Sequence, residues 1–315
     1  MAAKIHIVVN PKAGSGKAVK VAHLLLLKFK NNNAYVLNLT FTKEINDAGA
    51  ITRKAITNGA SMVIAIGGDG TINEVVNGFF IDGTPVNPIC ELGIINCGTG
   101  GGYAGTLNLP HSIEDQIDLL LKPGSQALDL GQITCKGFSG EKVSRLFVNE
   151  CQIGIGSKVA STVGKTIKIL GGTLAFGLAA TYLAMLTDPL KLSVCFDSED
   201  FKDFSLIGLV VGNGTECAGG MKLTPDAKLN DGYFDVLSIN NMNVMQRMLN
   251  LSKVYSGRHI FSTHFSIKRC KKIKIRSDSE ILLESDGEMI GTSPADIEIL
   301  QSAIRVKTGN FNRLI

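Results

Sequence analysis

The segment from Met62 to Gly78 constrains this chain most. An apolar run, Met62 to Ile66, breaks into Gly67-Gly68-Asp69-Gly70 and resumes as Thr71-Ile72-Asn73-Glu74-Val75-Val76-Asn77-Gly78. A short apolar run bounded by glycine reads as a buried strand. Ile72, Val75, Val76 and Phe79 recur at helical spacing, so an amphipathic helix is expected to start near Ile72. A strand that ends in glycines and opens a helix lets a phosphate approach the backbone, because side chains are missing where the free N–H groups of the helix start are presented. An aspartate at that place repels phosphate unless it holds a cation or takes a proton from a nucleophile. Asp69 is therefore the first candidate for chemistry. A plain Asp-Gly turn or helix cap would not need the flanking glycines.

The same alternation runs through the first part of the chain. Strands are predicted over 5–10, 34–41, 62–66 and 92–95, and helices over 18–31, 48–58, 72–80 and 113–121. This pattern predicts an α/β domain over 1–130, with a parallel sheet and helices on both faces. Ligands of such sheets sit beyond the carboxyl ends of the strands. Asn10, Thr42, Gly67 and Asn96 fall at such ends, so four loops should converge on one crevice. Beyond about residue 129 the pattern changes. Strands are predicted over 131–134, 144–148, 190–196, 205–211, 234–239, 272–275, 281–284 and 303–307, interrupted by helices over 169–186 and 244–256. This reads as a mostly antiparallel β-sandwich domain over 131–315, with the extreme C-terminus free to pack back on the first domain.

Composition narrows the partners. The chain has 315 residues, 44% of them hydrophobic, enough for two cored domains, and a net charge of +4. That charge suits phosphate ligands or an anionic membrane surface and does not demand nucleic acid. Trp is absent and there are five Tyr, so no aromatic platform for bases is evident. Seven cysteines without a CxxC pair read as the reduced thiols of a cytosolic protein, with Cys97 and Cys217 as space-fillers. No apolar signal-peptide core is visible before the first strand, so no cleaved leader is expected. The uncharged stretch 169–187 approaches a membrane span in length, but Gly171, Gly172, Thr173, Gly177 and Thr181 dilute it. It is expected to be a buried or interface-facing helix, and a wall for acyl chains if the substrate is a lipid.

Three apparent motifs fail on inspection. Asn10 to Lys17 resembles a P-loop, but Pro11 and Ala18 stand where a Walker A sequence needs Gly and Ser or Thr. Gly100, Gly102 and Gly105 spell GxGxxG after a strand, yet Thr106 to Pro110 opens no clear helix. His259 and His264 do not share a helical face and carry no zinc pattern.

Four segments in order point to one family. Gly67-Gly68-Asp69-Gly70-Thr71 with Glu74, Val75, Asn77 and Gly78 matches GGDGTxxEVxNG. Asn10-Pro11-Lys12-Ala13-Gly14-Ser15-Gly16-Lys17 matches NPxAGxGK. Pro225 to Gly232 matches PDAKLxDG, and Asp286-Gly287-Glu288 matches DGE. The chain resembles the diacylglycerol-kinase-like lipid kinases. The resemblance implies an ATP-dependent, Mg2+-requiring kinase acting on the hydroxyl of a membrane lipid such as diacylglycerol. It implies nucleotide contacts at Asn10, Pro11, Lys12, Ala13, Gly14, Thr42, Gly68, Asp69, Gly70, Thr71, Ile72, Asn73, Glu74 and Thr99. Asp69 and Glu288 are the catalytic candidates, and which of them takes the proton stays open. Asp226, the carbonyl of Leu229 and Asp231 are implied as Mg2+ ligands, with Asp129 near the same metal network. The expected partners are ATP and a lipid at the membrane surface, with no nucleic acid. The protein is expected to be cytoplasmic, to touch the membrane transiently, and to have an edge strand open to homodimerisation.

The chain departs from the family at Cys97 to Gly105. Lipid kinases commonly read PxGTxNDFAR there, and this chain has Gly101 and Gly102 for the Asn-Asp pair. A glycine run costs order, so a loop that orders on nucleotide binding and a degenerate site are both open. The alternatives are accordingly an NAD kinase, which shares GGDGT, and a catalytically degenerate lipid or nucleotide sensor.

Overall fold

The computed structural model describes residues 2–30, 34–98, 101–154, 157, 188–217 and 220–308. Thr99 and the expected apolar helix over 169–186 lie outside them. The chain forms two compact units. One runs to Asp129 and resumes at Gln301; the other spans Leu130–Leu300.

The first unit is built on four strands in the order β2 (Tyr35–Phe41), β1 (Ala3–Val9), β3 (Met62–Gly67), β6 (Glu91–Asn96), with every pairing parallel. All six residues of β3 are buried, as a central parallel strand covered on both faces requires. Helices α1 (Lys17–Phe29), α2 (Asp47–Thr57), α3 (Asp69–Gly78) and α5 (Ile113–Leu121) connect or follow them. Val21, Ala22, Leu25 and Phe29 form one stripe of α1. They close a core with Ile5, Ile7, Ile64, Ile66, Ile117 and Leu120. Ser112 caps α5 by accepting from the Asp115 amide at 3.0 Å. A small hairpin, β4 (Phe80–Ile81) and β5 (Thr84–Pro85), follows α3. A short α4 (Gly102–Thr106) follows β6. Arg305 and Val306, returning in the last strand, pair in parallel with Glu91 and Leu92.

The second unit is antiparallel. β10 (Leu190–Phe196), β11 (Lys202–Gly212), β12 (Phe234–Asn240) and β13 (Phe265–Cys270) pair in sequence, and β14 (Lys272–Arg276) joins β10. β7 (Gln126–Lys136) and β8 (Lys142–Phe147) form a hairpin. β9 (Glu150–Gly154) lies between β11 and β15 (Leu282–Ser285), and β16 (Glu288–Val306) pairs with β14 and β15. Leu209 and Val211 face one apolar cluster, which includes the stacked pair Phe147 and Phe234, while Val210 between them joins a second with Leu237 and Phe265. This is the period-two alternation of a strand covered on both faces. Helix α6 (Val244–Ser256) lies between β12 and β13.

The structure corrects four expectations. Helix α3 begins at Asp69, three residues before Ile72, so Asp69 is its first residue rather than part of a preceding loop. The Gly-rich segment after β6 opens the short helix α4, with Gly101 in the left-handed region (φ 59°) turning the chain into it. β9 and β13 were not expected as strands. The expected strand over 303–307 is the end of the long β16.

Candidate functional site

The loops after β1, β3 and β6 meet at one end of the parallel sheet. The Asn10 amide donates to the Ile66 carbonyl at 3.0 Å, the Thr42 amide to Val9 at 2.9 Å, and the Cys97 amide to Gly67 at 2.8 Å. These bonds continue the sheet into its loops and fix their spacing. Two close approaches explain the glycines. A Cβ on Gly98 would lie 2.6 Å from the Gly68 Cα, and one on Gly14 would lie 2.5 Å from the Cys97 carbonyl oxygen. Gly14 also has φ of 57°, a conformation side chains resist. The glycines therefore serve loop-to-loop packing directly, beyond leaving room for a phosphate.

Beside these loops lies a cavity of about 460 Å3, lined in part by Asn10, Pro11, Lys12, Thr42, Thr71 and Glu74. Six of the residues expected to hold the nucleotide are thus brought together. Asn10 organises the wall. Its Nδ2 donates to Thr71 Oγ1 at 3.1 Å, and its Oδ1 accepts from the Lys12 amide at 3.0 Å. Glu74 is already engaged, since its Oε2 accepts from the Ala48 amide at 3.1 Å at the start of α2. That bond ties α3 to the first turn of α2. Lys43, Glu44, Ile45 and Ala48 complete the lining and were not anticipated. Their signal was weak, because Lys43 and Glu44 read as an ordinary polar turn.

Two of the expected contact residues lie away from the cavity lining. Ile72 is fully buried, and its amide donates to the Gly68 carbonyl at 3.0 Å. Asn73 is fully buried as well. Helical periodicity turns both toward the interior while Thr71 and Glu74 face the cavity.

Asp69 sits at the first turn of α3 with its carboxylate toward the start of α4. Its Oδ2 accepts from the Gly102 amide at 3.2 Å. Burial raises its pKa, and the amides of Gly102, Tyr103 and Gly101 oppose that rise. Its Oδ1 is buried and has no hydrogen-bond partner among the described residues. A buried, unpartnered carboxylate oxygen is costly and calls for a proton, a cation or a ligand. The Gly101–Gly102 segment, where the chain departs from the family's Asn-Asp pair, thus turns its backbone amides toward Asp69.

In the second unit the Asp286-Gly287-Glu288 turn links β15 to β16. Asp286, at φ 47°, accepts from the amides of Val148 (2.7 Å), Asn149 (2.9 Å) and Glu150 (3.1 Å). It fixes the turn between β8 and β9. Glu288 is half-buried and pairs with Arg145 at 2.5 Å. Glu284, two residues before the turn, was not anticipated as a functional residue. It is buried, it accepts from the Gly287 amide, and burial pushes its pKa up to about 8, with Asp286 and Glu288 adding to the rise. Strand alternation was the only signal for it, since a position two before an exposed turn residue can point inward as easily as outward.

The Asp226 to Asp231 loop carries an exposed Asp226, a buried Leu229 and a half-buried Asp231. Asp231 accepts from the Tyr233 amide at 3.1 Å and pairs with Arg269. Buried Asp235 lies close by. Burial raises its pKa, Arg269 lowers it, and Asp231 and Asp226 raise it further. Three carboxylates against Arg269 and Lys228 leave excess negative charge, and oxygen donors of this kind fit a hard cation. Among the described residues no group of three or more His, Cys, Asp or Glu side chains is arranged to hold a metal. Asp129, expected near a metal, ties the start of the second unit's first strand to the returning C-terminal segment. It is buried, and its Oδ1 accepts from the Ser302 amide at 2.7 Å.

Comparison with known proteins gives a consistent result. Residues 4–133 match the diacylglycerol kinase catalytic domain, and residues 150–308 match the YegS C-terminal NAD kinase beta sandwich-like domain. The chain is 27% identical to a diacylglycerol kinase of Staphylococcus saprophyticus over 98% of its own length and 97% of the relative's. A crystal structure from Bacillus anthracis str. Sterne superposes with a TM-score of 0.76 at 24% identity, covering 97% of this chain and 95% of that one. Yeast NADH kinase superposes with a TM-score of 0.57 at 11% identity, over 99% of this chain and 87% of that one. These two likenesses concern the fold.

Proposed function

Since the chain belongs to the diacylglycerol-kinase-like family of lipid kinases, we propose that its first unit binds ATP with Mg2+ and that its acceptor is the free hydroxyl of diacylglycerol at a membrane surface. It is a lipid kinase. The acceptor oxygen attacks the γ-phosphorus, the bond from that phosphorus to the β–γ bridging oxygen breaks, ADP leaves, and the hydroxyl proton passes to a carboxylate. The observation that carries this reading is the convergence of Asn10, Lys12, Thr42 and Thr71 on one cavity beside the start of α3. Amides there and the Lys12 ammonium suit the polyphosphate, while Ala13, Gly14, Gly68 and Gly70 leave its approach open. Thr99 is proposed as a further nucleotide contact.

Asp69, with its unpartnered oxygen, is proposed to manage charge or a proton at the γ-phosphate. Glu288 is proposed as the base on the lipid hydroxyl, with Arg145 orienting it. Asp226, the Leu229 carbonyl and Asp231 would hold Mg2+ in the second unit, where the ion would offset the carboxylates and order the loop. The β-sandwich reading of that unit, its role as the lipid and metal domain, and homodimerisation through a free strand edge belong to the same proposal.

The test is transfer of labelled γ-phosphate from ATP to diacylglycerol in mixed micelles, with NAD supplied in parallel. Labelled phosphatidic acid is the expected product. Asp69→Asn should lower turnover by about 10^2- to 10^4-fold, the range for loss of a proton-handling group, while ATP binding persists. Labelled NAD phosphate, or no product with any acceptor, would sink the reading.

A further inference from the structure

The second unit displays an apolar face that the chemistry above does not use. On α6, Val244, Met245, Met248, Leu249 and Tyr255 are 50, 65, 50, 61 and 43% exposed. At 100° per residue they fall on one arc, together with Ser252 and Ser256. Phe261, in the 3-10 turn that follows, is 84% exposed. The helix is firmly held from its other side. Asn243 and Gln246 close a capping box, Gly257 ends the helix at φ 72°, and Val254 and Asn250 are buried. Buried His259 bonds the Leu223 carbonyl at 3.0 Å and anchors the turn that carries Phe261. The exposure is therefore a property of a well-anchored element.

Beside the apolar arc lies a cavity of about 410 Å3, lined by Ser252, Lys253, Ser256, Arg258, Phe261 and Ser262. Lys253 and Arg258 make no ion pair among the described residues, whereas most other cations of this part of the unit do. The sequence deepens the asymmetry. Between Asp235 and Asp278 there are nine Lys and Arg and no Asp or Glu.

We propose that α6 and the turn after it form a membrane-docking face, whose apolar residues enter an anionic bilayer while the adjoining cavity takes the phosphate of an anionic lipid headgroup. An amphipathic helix with exposed Met, Leu and Phe beside unpaired cations has the chemistry of an interfacial element. The Arg258 guanidinium, the Lys253 ammonium and the Ser262 hydroxyl around one cavity match a phosphate monoanion, while Ser252 and Ser256 donate to the helix carbonyls of Leu249 and Lys253. Charge also argues against a second copy of the chain as the occupant. A two-fold contact would set the same cations against one another with no carboxylate from the helix to relieve them. The choice of a bilayer rests on the lipid-kinase reading.

The experiment is co-sedimentation of the full chain with phosphatidylcholine vesicles, with and without phosphatidylglycerol. Nucleotide and diacylglycerol are omitted, so that binding is read apart from catalysis. Phosphatidylglycerol should strengthen binding about tenfold or more. The double variant Met248→Glu, Leu249→Glu should lose that binding. Lys253→Ala with Arg258→Ala should lose the preference for phosphatidylglycerol but keep the residual apolar binding. All variants should keep the wild-type melting temperature and wild-type transfer to a dispersed short-chain diacylglycerol. Binding indifferent to phosphatidylglycerol, or unaffected by the glutamates, would overturn the proposal. So would a wild-type dimer in sedimentation velocity that the glutamates convert to monomer. A chain that bound vesicles but transferred no phosphate would overturn the kinase reading and leave the docking face standing.

Discussion

Glu284 shows how a single carboxyl couples burial to pH. Its ordinary pKa is 4.5, and in the folded chain it is about 8. Between those values the folded state holds a proton that the unfolded state has released. Stability from this group therefore falls as pH rises through that window, with a limiting slope of about 1.4 kcal/mol per pH unit. Glu150, Asp286 and Glu288 are the acids near it or on the elements packed against it. Glu284→Gln keeps an oxygen for the Gly287 amide and cannot ionise. The variant should melt several degrees above wild type at pH 8 and close to it at pH 5, as thermal scans across pH would read. A parallel pH dependence in both proteins would show that Glu284 does not ionise on this scale. The DGE motif itself was legible in the sequence. What Glu284 and Arg145 do beside it was not, because burial and an ion pair across 143 positions arise only when β8, β9, β15 and β16 assemble.

At the level of elements, local pattern carried furthest where it was strongest. Helix α5 occupies 113–121 and α6 occupies 244–256, the spans their apolar spacing predicts, and each has a side-chain cap in its sequence. The predicted strand over 190–196 matches β10 for the same reason. Pattern failed where tertiary context decides. β13 reads Phe-Ser-Ile-Lys-Arg-Cys, too polar to signal a strand, and it exists because β12 offers it a full ladder. β16 contains Pro294 and several charges that local propensity assigns to a turn. α4 needs Asp69, distant in sequence, at its first amides. The cavity was legible from strand ends, whereas the contact that spaces its loops was not. Gly98→Ala tests that contact. Its new Cβ would press on the Gly68 backbone, forcing the β3 and β6 loops apart. Overpacking of this kind costs about 1–3 kcal/mol, and a shift of a few degrees per kcal/mol is expected at this size. The variant should melt several degrees lower and show a raised KM for ATP in the transfer assay. If both stay at wild-type values, the glycine contact does not set the loop spacing.

For the molecule as a whole, the distribution of charge says more than its total. A net charge of +4 on 315 residues is modest. Yet nine cations and no carboxylate fall between Asp235 and Asp278, and Lys253 and Arg258 at the α6 cavity lack ion pairs among the described residues. No helix of the described residues is long and apolar enough to cross a membrane. Engagement of a bilayer through α6 would therefore be interfacial and partly electrostatic, and the surface potential of an anionic membrane extends only about a Debye length. That length shrinks from about 10 Å at 0.1 M salt to about 3 Å at 1 M. Phosphate transfer to diacylglycerol in phosphatidylglycerol vesicles should accordingly fall steeply over that range, through a rising apparent KM for the vesicle. Transfer to a dispersed short-chain diacylglycerol should change far less, because the cavity proposed to hold the nucleotide is the same in both assays. An equal loss on both substrates would locate the salt effect at ATP binding. The ratio of the two activities therefore separates the membrane surface from the proposed nucleotide cavity.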